Sequence, residues 1–207
     1  MCILALVVLS LIVPLDRLLY NVLLPVSNSK FATLWAHAAD FLGNGAVLML
    51  LVVFLAPLLY WSQRDSHKCI HYLIRATVAL VMTGLSSQVL KFLIGRPRPG
   101  TGLDSWHINP FCIENDFHSF PSGHAASAFS VAVILCRYFP CLKYLWLAMA
   151  IFISLGRLVG QSHFLTDLAG SVLIAFLITD AVLNIKWRHG SFLFVRDHAI
   201  KDKAECA

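Results

Sequence analysis

Residues 120–139 read FPSGHAASAFSVAVILCRYF. The second half is an apolar run of the kind that crosses a bilayer. The first half packs Pro121, Ser122, Gly123 and His124 into its opening turn. Such a run must be helical if it lies in lipid, because a lone segment there can satisfy its backbone only within itself. A helix that opens on Pro is ordinary, since the missing N–H costs nothing in the first turn. A helix that opens on four polar or backbone-exposing residues in so greasy a chain asks for a partner at its mouth.

The rest of the chain supports the membrane reading. Of 207 residues 58% are hydrophobic and only 13% charged, where soluble domains carry about 25% charged residues. Mean hydropathy is +0.75. Four further apolar blocks are expected as spans: 42–61, 69–95, 144–159 and 166–187. Residues 1–15 form a sixth, short of the roughly 20 residues a full crossing needs. They lack a basic leader and an Ala-x-Ala site, so a cleaved signal peptide is disfavoured. Period-two alternation is absent, which argues against a barrel. The expectation is therefore an all-α, polytopic bundle of six transmembrane helices. It forms one domain over 1–207, with 188–207 as a flexible cytoplasmic tail.

Orientation follows from lysine and arginine counts. Ten fall on the side of the termini and six on the other. The termini are expected in the cytoplasm, and the 96–120 loop, the start of the PSGH helix and the 160–165 loop outside. The net charge of +5 forms no basic stripe, so nucleic acid is not an expected partner. No CxxC or CxxH spacing exists among the six cysteines, so a zinc site is not expected.

Three polar clusters interrupt the apolar blocks, all on the outer side: KFLIGRPRP (91–99), SFPSGH (119–124) and GRLVGQSHFLTD (156–167). They bring Lys91, Arg98 and Arg157 to one membrane depth. One nearby carboxylate, Asp167, cannot neutralise three cations there, so a multiply charged anion is called for. Phosphate fits: arginine forks match its oxygens and lysine adds a point charge. The N-terminus of the PSGH helix is a second anion donor. Gly123 admits the ligand close to the backbone, and Ser122 adds a hydroxyl. His163 and Asp167, four apart, are expected on one helix face, with Asp167 setting the tautomer of a nucleophilic His163.

Lys91-x6-Arg98-Pro99, Pro121-Ser122-Gly123-His124 and Arg157-x5-His163-x3-Asp167 resemble the type 2 phosphatidic acid phosphatase family, of the superfamily shared with vanadium haloperoxidases. The resemblance covers about residues 91–170. It implies a membrane lipid phosphatase in which His163 attacks phosphorus and His124 protonates the leaving oxygen. Asp167 would orient His163, and Lys91, Arg98, Arg157, Ser122 and Gly123 would hold the phosphate. No metal and no cofactor are implied, because the cations supply the positive field. One position departs: the family's usual Ser before the third-block Arg is Gly156, for which Ser154 or Ser162 are candidate substitutes.

The substrate is expected to be a phosphorylated lipid in the bilayer: phosphatidic acid, phosphatidylglycerol phosphate, a polyprenyl diphosphate or lipid A. Small size and the absence of an Asn-x-Ser/Thr sequon favour a bacterial inner membrane with the site facing the periplasm or exterior. The alternatives are a phosphotransferase with another acceptor, and a non-catalytic lipid-phosphate binder or transporter. The latter has no use for a His–Asp pair. No oligomeric state is indicated. Among weaker features, Arg96 is expected at the site's mouth or at headgroups. Trp146 is expected as an interface anchor, and Asp180, inside the last span, as a partner of Arg75.

Overall fold

The computed structural model describes residues 2–63, 66–188 and 191–194, and side chains over 13–61 and 66–185. Seven helices follow in order: α1 Cys2–Ser27, α2 Lys30–Leu42, α3 Gly45–Gln63, α4 Ser66–Ile94, α5 Gly123–Tyr138, α6 Lys143–Val159 and α7 Leu165–Asn184. Two four-residue strands, β1 Ile185–Arg188 and β2 Ser191–Phe194, follow α7 as an antiparallel ribbon with Ile185 opposite Phe194. Among the described residues three helical segments are long and apolar enough to cross a membrane: Ser66–Ile94, Pro140–Val159 and Leu165–Asn184. The α2–α3 pair, bent by 61°, makes a fourth when counted as one span.

α5 is the hub. It has 16 residues, about 24 Å at 1.5 Å per residue, and packs against α3, α4, α6 and α7. Its buried face is built of small side chains, Ala125, Ala126, Ala128, Ser130 and Ala132, which let helix backbones approach closely. Ser130 sits 2.9 Å from the Thr179 hydroxyl and accepts from Thr83 at 3.4 Å. Three helices are thus linked at a buried level. At the far end the Tyr72 hydroxyl donates to the Val52 carbonyl at 3.0 Å, and its ring meets Tyr138 and Phe139 edge-on.

Several expectations need correction. The block at 1–15 continues to Ser27, passing Pro14 and Pro25. α2 is a helix that hydropathy alone does not mark, because Lys30, His37 and Asp40 dilute it. Its signals are local: Ser29 caps it by accepting from the Ala32 amide at 3.2 Å, and Ala32 and Ala39 share the buried side. Gly43 ends it, and the Asn44 side chain accepts from the Ala46 amide at 2.9 Å to start α3. The last apolar block stops as helix at Asn184, and residues 185–188 pair as a strand. The rest of the expected tail, 189–190 and 195–207, lies outside the described residues. Arg75 donates to the Ile185 carbonyl at 3.3 Å. That carbonyl lies five residues beyond Asp180, about 7.5 Å along a helix, and Asp180 itself is exposed. The expected Arg75–Asp180 pair is not formed. Trp146 is buried, its indole donating to the Phe139 carbonyl at 3.3 Å, rather than anchored at an interface.

Candidate active site

The three polar clusters meet at one end of the bundle. α4 stops at Gly95, whose φ of +61° is left-handed. A Cβ there would fall 1.6 Å from the Asn109 carbonyl oxygen, so only glycine allows this turn. The turn sends Arg96 inward, where it is 7% exposed. Its guanidinium donates to Asp167 at 2.5 Å, Thr166 at 2.6 Å, Asp16 at 2.7 Å and the Ser105 carbonyl at 2.9 Å. Asp16, from the middle of α1, accepts also from the Thr166 amide at 3.0 Å and from the Thr166 hydroxyl. Two fully buried carboxylates are thus clamped by one arginine fork. Such burial holds only when every lone pair finds a donor.

Asp167 accepts further from the Ser119 hydroxyl at 2.5 Å and the Phe164 amide at 2.8 Å. It is the third residue of α7, and His163 lies in the turn before that helix. The expected i,i+4 pair on one helix face is therefore a turn-to-helix pair, with 3.7 Å between His163 Nδ1 and Asp167 Oδ2. The shorter contact of Nδ1, 2.8 Å, is to the Ser119 carbonyl. A carbonyl can only accept, so Nδ1 carries the proton and Nε2 keeps its lone pair. Nδ1 thus faces two acceptors, the Ser119 carbonyl and Asp167, and Asp167 also holds Ser119 by its hydroxyl. His163 is 2% exposed. That burial pushes its imidazole below the ordinary value of 6.5, against the opposing pull of Asp167. The ring is neutral at neutral pH.

The cations stand opposite. α5 begins at Gly123 rather than Pro121, which follows a cis peptide bond after Phe120. Ser122 is the N-cap, its oxygen accepting from the Ala125 amide at 3.5 Å, so its hydroxyl hydrogen is still available to donate. The amides of Gly123 and His124 follow as first-turn donors the helix cannot use. Lys91 Nζ lies 4.0 Å from where a Gly123 Cβ would be. Arg98 is held in the loop between α4 and α5, its Nε donating to the Asn115 carbonyl at 3.0 Å and its amide to that of Asp116 at 2.7 Å. It lies near enough to add its charge to the fields at Lys91, Arg157 and His163. Arg157, on the last turn of α6, pairs with Asp40. His124 Nε2 lies 3.4 Å from the same carboxylate oxygen.

Lys91, Arg98, Ser122, Gly123, His124, Arg157, His163 and Asp167 therefore share one locale. Sequence reasoning missed Asp16, Asp40, Ser119 and Thr166 as members of it. Arg96, expected at the mouth or at headgroups, is an internal tie. The candidates to replace a hydroxyl at Gly156 are committed elsewhere: Ser154 donates to the Ala150 carbonyl at 2.8 Å and Ser162 to that of Gly160 at 3.4 Å.

This geometry has known counterparts. The PAP2 superfamily profile matches residues 72–191, more than half of the chain. A lipid A 1-phosphatase of Rhizobium johnstonii is 26% identical over 178 residues, 76% of this chain and 71% of that protein. The crystal structure of Aquifex aeolicus LpxE superimposes with a TM-score of 0.63 at 24% identity, covering 82% of this chain and 94% of the other. A PAP2-type phosphatidylglycerolphosphate phosphatase of Bacillus subtilis gives 0.64 at 20% identity, covering 87% and 91%. The chain belongs to the PAP2 superfamily, the phosphatase family that its three motifs resemble.

Proposed function

We propose that this chain is an integral membrane lipid phosphatase that removes a terminal phosphate through a covalent intermediate on His163. The observation that carries the reading is the 2.8 Å contact between His163 Nδ1 and the Ser119 carbonyl. It leaves Nε2 as a buried, neutral nucleophile facing a site rimmed by Lys91, Arg98 and Arg157. Nε2 attacks phosphorus in line, and the P–O bond to the lipid breaks as the N–P bond forms. His124 gives its proton to the departing lipid oxygen, then takes one from the water that hydrolyses the phosphohistidine. The cations, the Ser122 hydroxyl and the first-turn amides of α5 meet the equatorial oxygens, where charge concentrates in the transition state. Their combined field does the electrostatic work of the reaction, so turnover is expected to persist in EDTA.

α1, the α2–α3 pair, α4, α5, α6 and α7 make six crossings, with the site at the outer face of a bacterial inner membrane. The lysine and arginine bias supports that orientation. The lipid A 1-phosphatase relative supports lipid A as the first substrate to try; phosphatidic acid, phosphatidylglycerol phosphate and a polyprenyl diphosphate complete the panel. Purified protein with EDTA should release inorganic phosphate from at least one of the four. His163→Ala should lower the rate about 10⁴-fold or more with an unchanged helical spectrum. Turnover surviving in that variant would rule out the assigned nucleophile.

A further inference from the structure

Asp40 has no part in the mechanism above, yet it touches two groups that do. It arrives there by an unusual packing. α2 runs antiparallel along α6, and glycines on both helices draw them together. A Cβ on Gly156 would fall 2.4 Å from the Ala39 Cβ and 3.1 Å from the Trp35 indole; one on Gly160 would fall 2.7 Å from the Ala36 Cβ. A Cβ on Gly43, at the end of α2, would fall 2.8 Å from an Ile153 methyl and 2.9 Å from the His124 ring. Even an alanine methyl at these positions would force the helices apart. The position where the family usually carries serine is thus glycine because α2 occupies the space.

The close seat has a chemical result. The residue after Ala39 reaches the residue after Gly156: one oxygen of Asp40 bonds Arg157 Nη1 and lies 3.4 Å from His124 Nε2. An exposed ion pair usually contributes little, but here only Asp40 is exposed. The side chains of Arg157 and His124 are 11% and 29% exposed. Arg157 Nε is buried with no protein partner among the described residues. The guanidinium is anchored at one nitrogen and keeps an unpaired donor for an anion.

We propose that Asp40 is a positioning residue for the phosphate site, fixing Arg157 and the His124 ring through one shared oxygen, and that Gly156 and Gly160 exist to deliver it. The inference rests on the phosphatase reading. Its chemistry cuts two ways. The groups acting on His124 are Asp40 from α2, Arg157 from α6, Lys91 from α4 and His163 from the turn before α7. Asp40 is the one carboxylate among them, so it favours the protonated ring that a leaving group needs. The same charge repels an incoming phosphate. Asp40 therefore weakens anion binding and speeds turnover.

The test is Asp40→Asn. Inorganic phosphate, titrated calorimetrically, should bind this variant about 3- to 10-fold tighter, as expected when one nearby like charge is removed. Its kcat should fall about 10- to 100-fold, part of what a general acid contributes. Asp40→Glu should recover part of kcat. A misfolded site would weaken binding and turnover together, so that result overturns the proposal, as do two unchanged constants. If the wild type releases no phosphate from any of the four lipids, the phosphatase reading falls and takes this inference with it. If it does release phosphate and Asp40→Asn shows no split, the positioning role alone is lost.

Discussion

The two histidines of the site sit in contrasting surroundings. His163 is sealed in, and its ring is held by a carbonyl that is itself held by Asp167, Arg96, Thr166 and Asp16 from three separate stretches of chain. His124 stands at the other side of the cations, partly open, steadied by one exposed carboxylate on a helix seated by glycine. A nucleophile that must meet phosphorus in line tolerates little angular freedom, and a deep hydrogen-bonded frame supplies that restraint. A leaving-group acid must follow oxygens of differing lipids, and a single adjustable contact suits it. On the proposed mechanism, the bundle places its rigidity behind attack and its compliance behind departure.

Breaking the rigid side should have the largest effect on the fold. Arg96→Met leaves Asp16 and Asp167 buried without their cation, which should cost about 3–5 kcal/mol of stability, read as a lowered unfolding midpoint in detergent. Arg96→Lys should recover only part, because one ammonium cannot span Asp16, Asp167 and the Ser105 carbonyl as a fork does. The compliant side should respond less in stability and more in turnover. Gly156→Ser restores the family's usual hydroxyl but drives a side chain into Ala39. We expect it to cost about 1–3 kcal/mol as overpacking and to slow phosphate release rather than raise it.

A smaller effect sharpens the contrast through pH. On the proposed mechanism His163 must be neutral to attack, and burial holds its pKa below 6.5. The acid limb of kcat/KM should therefore lie below pH 6.5, and activity should hold through the mildly acidic range. The sign for stability agrees: between the folded and unfolded values only the unfolded chain takes up this proton, so stability falls as pH drops through 6.5. The smallest effect belongs to Asp180→Asn. An exposed carboxylate with no tie to Arg75 should change the unfolding midpoint by no more than about 0.5 kcal/mol equivalent.

Much of the site was legible because its chemistry is carried by charged and polar residues set against an apolar background. Lys91, Arg98, Arg157 and the PSGH turn stand out for that reason, and the excess of cations over carboxylates points to an anion. What was not legible came from folding across distance. Asp16 falls just past the apolar 1–15 block, beside Arg17, and nothing in its neighbourhood announces a partner 80 residues away. The i,i+4 spacing of His163 and Asp167 invited a helix, but the helix starts at Leu165, and the nearer acceptor of Nδ1 is a main-chain oxygen that no motif marks. α2 was hidden for a related reason: the same Asp40 that lowers its hydropathy is what ties it to the site. Gly156 read as a loss of a hydroxyl, and only the packed helix shows what fills the space.

The most direct test of the central claim is to quench the enzyme during turnover with its preferred lipid phosphate and map phosphorylation by mass spectrometry under conditions that preserve P–N bonds. One phosphoryl adduct is expected, on the peptide carrying His163, appearing before steady state and vanishing when substrate is exhausted. Turnover with no adduct, or with the adduct on His124 or any other residue, would contradict it.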